Sequence, residues 1–362
     1  MPHELAELTA VFAPVRHEKS PPSRLGRPGR AWGSLRNELA FRRHIEGLVR
    51  EAVALGRKHR TQAVWAILDA PTSIALARPV AQALGTPLIG LVWDDAEHLA
   101  ASLGLGRVAS VNMIRRMGLA LRAAQRCAVI GATMKQQYEA RYGTYCVVLR
   151  HGLARQLLRP VRRCDNGSNV FSLGFAGTMN APCTFNALLA ALDSTDWRIA
   201  GRDIELRLVG PRFDMRSNKP ALFRSFGWRS VAQTIDILAE SDATYLPQPF
   251  AQDRRNMATL SFPTKLTTYL AAGRPIVLHA PDYASLPQYH HQQPLGLHCG
   301  STDPQTIVAA LRRLITEPSF YAQAADDARK AYEVDFTQER FRGSFAELLA
   351  VPISELTGQK TH

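Results

Sequence analysis

The segment Ser261–Leu278, SFPTKLTTYLAAGRPIVL, places a lysine at the predicted start of a helix. Ser261 and Thr264 are candidate N-caps, a helix is predicted from about Thr264, and Gly273 ends it before a buried strand. The free N–H groups of a helix start, with Lys265 beside them, favour the binding of a phosphate. A strand–helix–strand unit without any ligand would produce the same pattern, so both interpretations stay open.

Two adjacent carboxylates and a histidine form a second group of chemically capable residues. Asp94 and Asp95 follow the apolar run PLIGLVW (Pro87–Trp93), and His98 lies one helical turn later. A carboxylate at the end of a buried strand can orient or deprotonate a hydroxyl of a bound substrate. Asp94, Asp95 and His98 are therefore candidate catalytic residues. The two carboxylates are equally suited to cap the next helix, and an isolated histidine is more often structural.

Cysteine and histidine, the commonest ligands of structural zinc, are present but not at ligand spacing. No C-x-x-C pair or nearby histidine accompanies the five scattered cysteines, which are Cys127, Cys146, Cys164, Cys183 and Cys299. The segment Tyr289–His291 has two adjacent histidines in a Gln/Pro-rich stretch, for which we predict a loop. We expect no metal site and no disulfide framework, and the dispersed cysteines favour a cytoplasmic protein.

The formal net charge of +13 is concentrated in the first part of the chain. Residues 1–152 hold 21 Lys and Arg against 11 Asp and Glu, whereas the remainder holds 23 against 20. This asymmetry suggests an anionic partner such as a membrane surface, a lipid-phosphate acceptor or nucleic acid, although solvated basic faces explain it equally well. The sequence carries no helix-turn-helix signature, RNP-like motif or aromatic-interleaved basic strip, so we expect no nucleic-acid partner.

The sequence predicts neither a secretion signal nor a membrane-spanning helix. The run MPHELAELTAVFAP lacks a basic region followed by an apolar one. No stretch reaches the roughly 18 uncharged apolar residues that a spanning helix needs. We expect a cytoplasmic protein with peripheral contact to the inner face of an anionic membrane.

A length of 362 residues favours two domains, and the first half alternates apolar runs with helices. Such runs without polar alternation predict a parallel sheet covered on both faces. They are AVWAIL (63–68), PLIGLVW (87–93), CAVIGA (127–132) and CVVLRHG (146–152). Upstream, LTAVFAP (8–14) is the only candidate strand, the Pro/Arg/Gly-rich run Ser20–Arg30 predicts an exposed loop, and Ser34–His59 predicts an amphipathic helix.

The alternation restarts after the polar stretch Arg162–Asn169, the predicted linker. The apolar runs of this half are VFSLGFAG (170–177), IELRLVGP (204–211), ATYLPQ (243–248) and RPIVLHA (274–280). We predict an α/β fold with two Rossmann-like domains, at residues 1–158 and 168–335. An amphipathic helix is predicted at residues 336–350.

Five segments of the second half resemble, in order and spacing, the donor domain of GT-B glycosyltransferases of the family-4-like group 1 type. The helix after Pro263 that ends in Ala-Ala-Gly-x-Pro is similar to the donor-binding helix of that family. The other four segments are LGFAGTMN (173–180), LRLVGP (206–211), FGW (226–228) and IDILAESDATYLPQPF (235–250). The resemblance implies two domains facing across a cleft, a terminal helix crossing back to the N-domain, and transfer of a sugar from a nucleotide-diphosphate sugar.

The resemblance also implies roles for individual positions. The turn Gly177–Thr178 would approach the donor phosphates, and Trp228–Arg229 would face the nucleotide base. The loop 249–264 and the helix start at Thr264–Lys265 would hold the diphosphate and the sugar. Because helix ends and basic side chains neutralise the phosphates in such enzymes, a UDP- or GDP-linked donor would need no metal and no other cofactor.

This sequence departs from the family at the charged positions of the donor site. The two glutamates of the family fall on Leu260 and Thr268, of which only Thr268 can hydrogen-bond a hydroxyl. The usual arginine and lysine fall on Thr178 and Thr184. The side chains that could supply the missing positive charge are Arg212, Arg254, Arg255 and Lys265.

Three functions follow from the resemblance and its departures. The first is glycosyl transfer to a polysaccharide, a lipid-linked or another cell-envelope acceptor. The second is a catalytically inactive scaffold or binding protein of GT-B shape, to which the missing glutamates point. The third is a sugar-nucleotide epimerase on the same fold.

Overall fold

The computed structural model describes residues 27–163, 167–211 and 217–352. The chain divides into two compact units. The first takes the chain up to Val148 and also Glu347–Ala350, and the second takes Leu149–Ala346 and the chain after Ala350. The predicted division at residues 158–168 lies later in the chain. The predicted strand at 8–14 lies outside the described residues.

The first unit is a parallel α/β structure, as the unalternated apolar runs predict. Its four strands pair in the order β1-β2-β3-β4, all parallel. All five residues of the second strand are buried, which explains the absence of polar alternation there. The elements in chain order are α1 (Arg27–Lys58), β1 (Val64–Ile67), α2 (Pro71–Leu84), β2 (Leu88–Val92), α3 (Ala96–Ser102), α4 (Arg107–Ala123), β3 (Ala124–Val129), α5 (Ala132–Tyr142) and β4 (Tyr145–Val148).

Helix α1 begins earlier than the sequence predicted. It already includes Arg27, so the predicted loop Ser20–Arg30 is wrong for its last four residues, and the rest of that run lies outside the described residues. Pro28 occupies the second helical position, where a missing N–H costs no intrahelical hydrogen bond. Further along, α1 packs its apolar face, including Ile45 and Val53, on α2.

The second unit is also α/β, with seven strands in the order β11-β10-β9-β5-β7-β6 and β8 paired to β7. All pairings are parallel except that of the two-residue strand β6. The elements in chain order are β5 (Val170–Ala176), α6 (Pro182–Asp193), β6 (Arg198–Ile199), β7 (Arg202–Val209), β8 (Phe223–Gly227), α7 (Val231–Glu240), β9 (Ala243–Pro247), α8 (Arg255–Leu260), α9 (Leu266–Ala271), β10 (Ile276–His279), α10 (Ser285–Gln292), β11 (Gly296–Cys299), α11 (Pro304–Thr316), α12 (Pro318–Asp335) and α13 (Gln338–Leu349).

The histidine pair lies on a helix, so the loop predicted for Tyr289–His291 is wrong. Helix α10 has only eight residues, and Leu286 and Tyr289, three positions apart, are buried on one of its faces. Within the described part of the chain, no three His, Cys, Asp or Glu side chains lie close enough together to hold a metal ion. Nor is any described helix both long and apolar enough to cross a membrane.

The first residues of the second unit run beside the end of α12. The N–H of Leu153 donates to the carbonyl of Phe336 at 2.9 Å, and Leu153 pairs with Thr337 in a parallel bridge. Gly152 fits closely here, since a Cβ at this position would lie 2.5 Å from the carbonyl oxygen of Thr337. The segment therefore belongs to the second unit by direct hydrogen bonding.

The last residues of α13 group with the first unit. The hydroxyl of Tyr145 donates to the Glu347 carboxylate at 2.7 Å, and Arg126 donates to the Glu347 carbonyl. Tyr145 and Arg126 face each other in the register of β3 and β4. The first unit is therefore assembled from two separate stretches of the chain.

Candidate functional site

Three neighbouring strands of the second sheet end at the same edge. In the register, Ala176 of β5 pairs with Val209 of β7, which pairs with Gly227 of β8. Strands are spaced about 4.8 Å apart, so the loops after them start within roughly 10 Å of one another. The carboxyl edge of an open parallel sheet is where such folds bind ligands.

Lys265 lies against the turn that follows β5. Its ammonium donates to the carbonyl of Thr178 at 2.9 Å and lies 4.5 Å from the ring centroid of Phe175. A Cβ on Gly177 would be 3.5 Å from both Cε and Nζ of Lys265, and Gly177 has a φ of +92° that disfavours any side chain. The structure thus brings together Gly177, Thr178 and Lys265, for which the resemblance implies a shared role at the donor phosphates, and that role stays a prediction.

Burial changes the acid–base character of this lysine. The surrounding protein lowers the pKa of Lys265 to about 8, because desolvation disfavours the charged ammonium. Among the residues that the structure describes, its polar partner is a neutral carbonyl rather than a carboxylate. An ammonium in this setting gains most from a multiply charged anion that replaces its lost hydration.

The helix after Lys265 is shorter than predicted, and its predicted caps are wrong. Helix α9 begins at Leu266 and has six residues; its N-cap position is Lys265, whose side chain makes no capping hydrogen bond. Thr264 lies exposed in the preceding turn, and the carbonyl of Ser261 accepts a hydrogen bond from the Ser285 hydroxyl at 2.6 Å. With so short a helix, the positive charge at this point comes from the Lys265 side chain more than from a helix dipole.

Tyr269 fixes α9 to the end of β5. Its hydroxyl accepts from the N–H of Ala176 at 2.8 Å and donates to the carbonyl of the same residue at 3.2 Å. Burial raises the pKa of Tyr269 well above its usual value, so the hydroxyl stays protonated and keeps donating. Sequence reasoning missed Tyr269, because an aromatic residue within an apolar helix gives no signal of a polar contact.

Trp228 and Arg229 lie just beyond β8, where the nucleotide base is expected. The side chain of Trp228 is 69% exposed, which is unusual for the largest apolar residue. Arg229 donates to the carbonyl of Trp228 at 2.9 Å, and Ser230 caps α7 through the N–H of Gln233. The chain is therefore fixed on both sides of an exposed indole that offers a stacking surface.

The other cations predicted for the donor site do not share the contacts of Lys265 where the structure describes them. The guanidinium of Arg255 stacks over the ring of Tyr283 at 4.0 Å, and Arg254 is exposed in a short 3-10 turn. Arg212 lies outside the described residues. Of the predicted cations among the described residues, Lys265 is therefore the one whose contacts reach the turn after β5.

Three positions at which the resemblance implies a charged residue carry uncharged side chains in this chain. Leu260 is 5% exposed at the end of α8. The hydroxyl of Thr184 is buried and donates to the carbonyl of Gln248 at 2.8 Å. Thr268 is half-buried on α9. Thr268 is thus the least buried of the three.

In the first unit, the carboxylates after β2 have different surroundings. Asp95 is 4% exposed and caps α3, accepting from the N–H of Glu97 and from the Tyr138 hydroxyl at 3.1 Å each. Both carboxylate oxygens are thereby occupied, so the capping alternative holds for Asp95. Asp94 and His98 are half-buried and stay candidates for work on an acceptor hydroxyl.

Known proteins resemble this chain in structure rather than in sequence. No protein-family model matches it, and no curated protein matches it by sequence. Anabaena HepE in complex with UDP and glucose superposes with a TM-score of 0.59 at 16% identity, over 84% of this chain and 81% of that one. Sucrose-phosphate synthase from Thermosynechococcus elongatus superposes with a TM-score of 0.64 at 13% identity, over 87% of this chain and 79% of that one.

A third similar structure is the apo form of the lipopolysaccharide outer core galactosyltransferase WaaB. It superposes with a TM-score of 0.57 at 16% identity, over 86% of this chain and 81% of that one. The chain has the GT-B fold. The resemblance drawn from the sequence is thereby confirmed at the level of the fold. At these identities the likeness carries no assignment of individual residues.

Proposed function

We propose that this protein transfers a sugar from a UDP- or GDP-linked donor to a hydroxyl of a polysaccharide, lipid-linked or other cell-envelope acceptor, in contact with an anionic membrane surface. The observation that carries the proposal is the ammonium of Lys265 on the turn Gly177–Thr178, at the carboxyl edge of the second sheet. The fold shared with HepE, which was solved with UDP and glucose, supports a nucleotide-sugar as the donor.

In the proposed reaction, the bond between the sugar carbon and the diphosphate oxygen breaks, and the diphosphate leaves with the electron pair. Lys265 is placed to stabilise the charge that develops on this leaving group without a metal or other cofactor. The hydroxyl of Thr268 would form a hydrogen bond with a hydroxyl of the nucleotide-sugar. The exposed indole of Trp228 would stack on the nucleotide base. The acceptor oxygen forms the new bond to the sugar carbon and its hydroxyl loses its proton, for which Asp94 and His98 are the candidate bases.

Calorimetric titration with UDP and with GDP tests the donor site directly. We expect one of them to bind the wild type and Lys265→Met to weaken its affinity by at least about tenfold, since a charge-assisted contact is lost. Lys330→Met is the matched control, because Lys330 is an exposed lysine on α12, and its affinity should equal that of the wild type. No binding of either nucleotide at millimolar concentration would contradict the proposal.

The second candidate, a binding protein without catalysis, is favoured by one observation. The apolar Leu260 is buried at a position where the family carries a glutamate. The two functions differ in what happens to the donor. Release of UDP or GDP from a nucleotide-sugar, abolished in Lys265→Met, supports transfer, whereas binding without turnover with any acceptor supports the scaffold. A changed sugar still attached to its nucleotide would identify an epimerase.

A further inference from the structure

One exposed face of helix α4 combines apolar and cationic side chains. Val111 is 59% exposed, Val108 is 43% exposed and Leu119 is 36% exposed, and two exposed arginines lie among them. The five residues follow one another at intervals of three or four, so they share one side of the helix. We call this surface the α4 face, and its members are Val108, Val111, Arg115, Leu119 and Arg122.

The opposite side of α4 explains why these residues are not required for folding. The helix buries Met113, Met117 and Ala120 in the first unit, and these face away from the α4 face. The valines and the leucine on the outer side therefore add apolar area to the surface without filling the core.

The electrostatic character of this surface is positive. Helix α4 contains four arginines and no Asp or Glu. The neighbouring carboxylate of α1, Glu38, is only 8% exposed and is held by Arg116 of α4 and by Arg42 at 3.5 Å. Its charge is therefore neutralised below the surface and does not offset that of the exposed Arg115. The guanidinium of Arg122, also an exposed residue, lies 5.5 Å from the ring centroid of Tyr142 on α5.

We propose that the α4 face docks on an anionic lipid surface, with its aliphatic side chains in the headgroup boundary and its arginines on lipid phosphates. The face extends from Val108 to Arg122, a length of about 21 Å at the helical rise per residue. Membrane-surface helices combine such apolar area with cations. This identifies the surface responsible for the membrane contact proposed above and stands whether or not sugar is transferred.

Two other partner classes fit the face less well. Nucleic-acid phosphates would pair with the arginines but would leave the exposed Val and Leu side chains without apolar contact. Single-stranded nucleic acid is bound largely by stacking of its bases on aromatic side chains, and no member of the α4 face is aromatic. Protein interfaces are enriched in aromatic residues and Met at their centre, which the α4 face also lacks.

Sedimentation with lipid vesicles tests the proposal on the full chain. The probes are vesicles of phosphatidylcholine alone and of phosphatidylcholine mixed equally with phosphatidylglycerol. The test variant carries Val111→Ser and Arg115→Ala. The control variant carries Val334→Ser and Arg312→Ala, which remove an exposed valine and an exposed arginine from other helices. The expected result is binding to the anionic vesicles only, reduced by roughly tenfold in the test variant and unchanged in the control.

Three outcomes would overturn the proposal. Equal losses in both variants would assign the binding to net charge rather than to the α4 face. Absence of binding to anionic vesicles would exclude a lipid partner, and retention of single-stranded RNA that the test variant alone abolishes would assign the face to nucleic acid. Unchanged thermal unfolding and UDP or GDP affinity in the test variant separate the result from misfolding and from failure of the donor site.

Discussion

The guanidinium of Arg150 lies 4.9 Å from the ring centroid of Phe262, three residues before Lys265. The same guanidinium lies 4.7 Å from the ring of Tyr289 and pairs with Asp335 at 2.9 Å. Tyr289 also donates to Asp335 at 2.9 Å. Arg150 therefore fixes the chain that presents Lys265, the lysine of the proposed donor site.

Removal of Arg150 should lower both stability and donor affinity. Arg150→Ala leaves the carboxylate of Asp335, which is 18% exposed, without its cation, at an expected cost of about 2–3 kcal/mol in the free energy of unfolding. Urea denaturation measures the change. Arg163→Ala is the control, because its ion pair with Asp326 has the same 2.9 Å distance but is exposed, and it should cost less than about 1 kcal/mol.

The affinity for UDP or GDP should fall as the pH rises through about 8. Only the ammonium form of Lys265 attracts the diphosphate, and the pKa of this group without ligand is about 8. The terminal phosphate, with a second pKa of about 6, is almost fully ionised at pH 8, so the dependence just above that pH reports the lysine. We expect the dissociation constant to rise by up to about tenfold per pH unit above 8 and to stay constant in Lys265→Met. A flat profile in the wild type would contradict the assignment.

The same pKa predicts a stability effect of opposite sign. The folded value of about 8 lies below the ordinary 10.5, so the folded chain binds fewer protons than the unfolded chain between these values. The cost of burying the ammonium is therefore present in full below pH 8 and relieved as the pH rises to 10.5. Lys265→Met should raise the unfolding free energy at pH 7 and give no gain above pH 10.5, as measured by urea denaturation.

Gly177→Ala should disturb the donor site, and Gly201→Ala provides the matched control. Both glycines have positive φ, +92° and +80°, so alanine should cost each about 1–2 kcal/mol in stability. The added methyl would meet Lys265 at 3.5 Å in the first case and nothing within 4 Å in the second. Only Gly177→Ala should weaken UDP or GDP binding in calorimetry; equal effects would show that Lys265 is insensitive to the turn.

Binding of the nucleotide should change the fluorescence of Trp228. A base stacked on this indole would quench its emission, whereas the buried Trp197 would be unaffected. Trp228→Ala should weaken binding by about 1–3 kcal/mol, the range of base–aromatic stacking, and Trp228→Phe should retain part of it. Unaltered emission together with an unaltered dissociation constant in Trp228→Ala would place the base elsewhere.

The sheets were predictable from the sequence because strands such as β2 and β5 are buried along almost their whole length. The run 87–93 contains β2, Leu88–Val92, and the run 170–177 contains β5, Val170–Ala176. In each case burial of successive side chains produces an apolar run that few other structures require. The resemblance to GT-B enzymes implied that the turn Gly177–Thr178 and Lys265 both serve the donor phosphates, and the structure places the two in contact.

The missed features depend on partners distant in sequence. Asp95 could serve catalysis or capping equally well, and the Tyr138 hydroxyl that occupies it lies 43 residues away. Helix α10 has eight residues and a proline, too few for a clear helical period. The guanidinium of Arg150 also lies 5.7 Å from the ring centroid of Phe336, 186 positions later in the chain, and no local pattern encodes such a contact.

The contact of Tyr145 with Glu347 has a consequence for the order in which the protein is made. The two residues are separated by 202 positions, and the whole stretch from Leu149 to Ala346 emerges from the ribosome between them. This contact of the first unit can therefore form only after nearly the whole of the second unit has been translated.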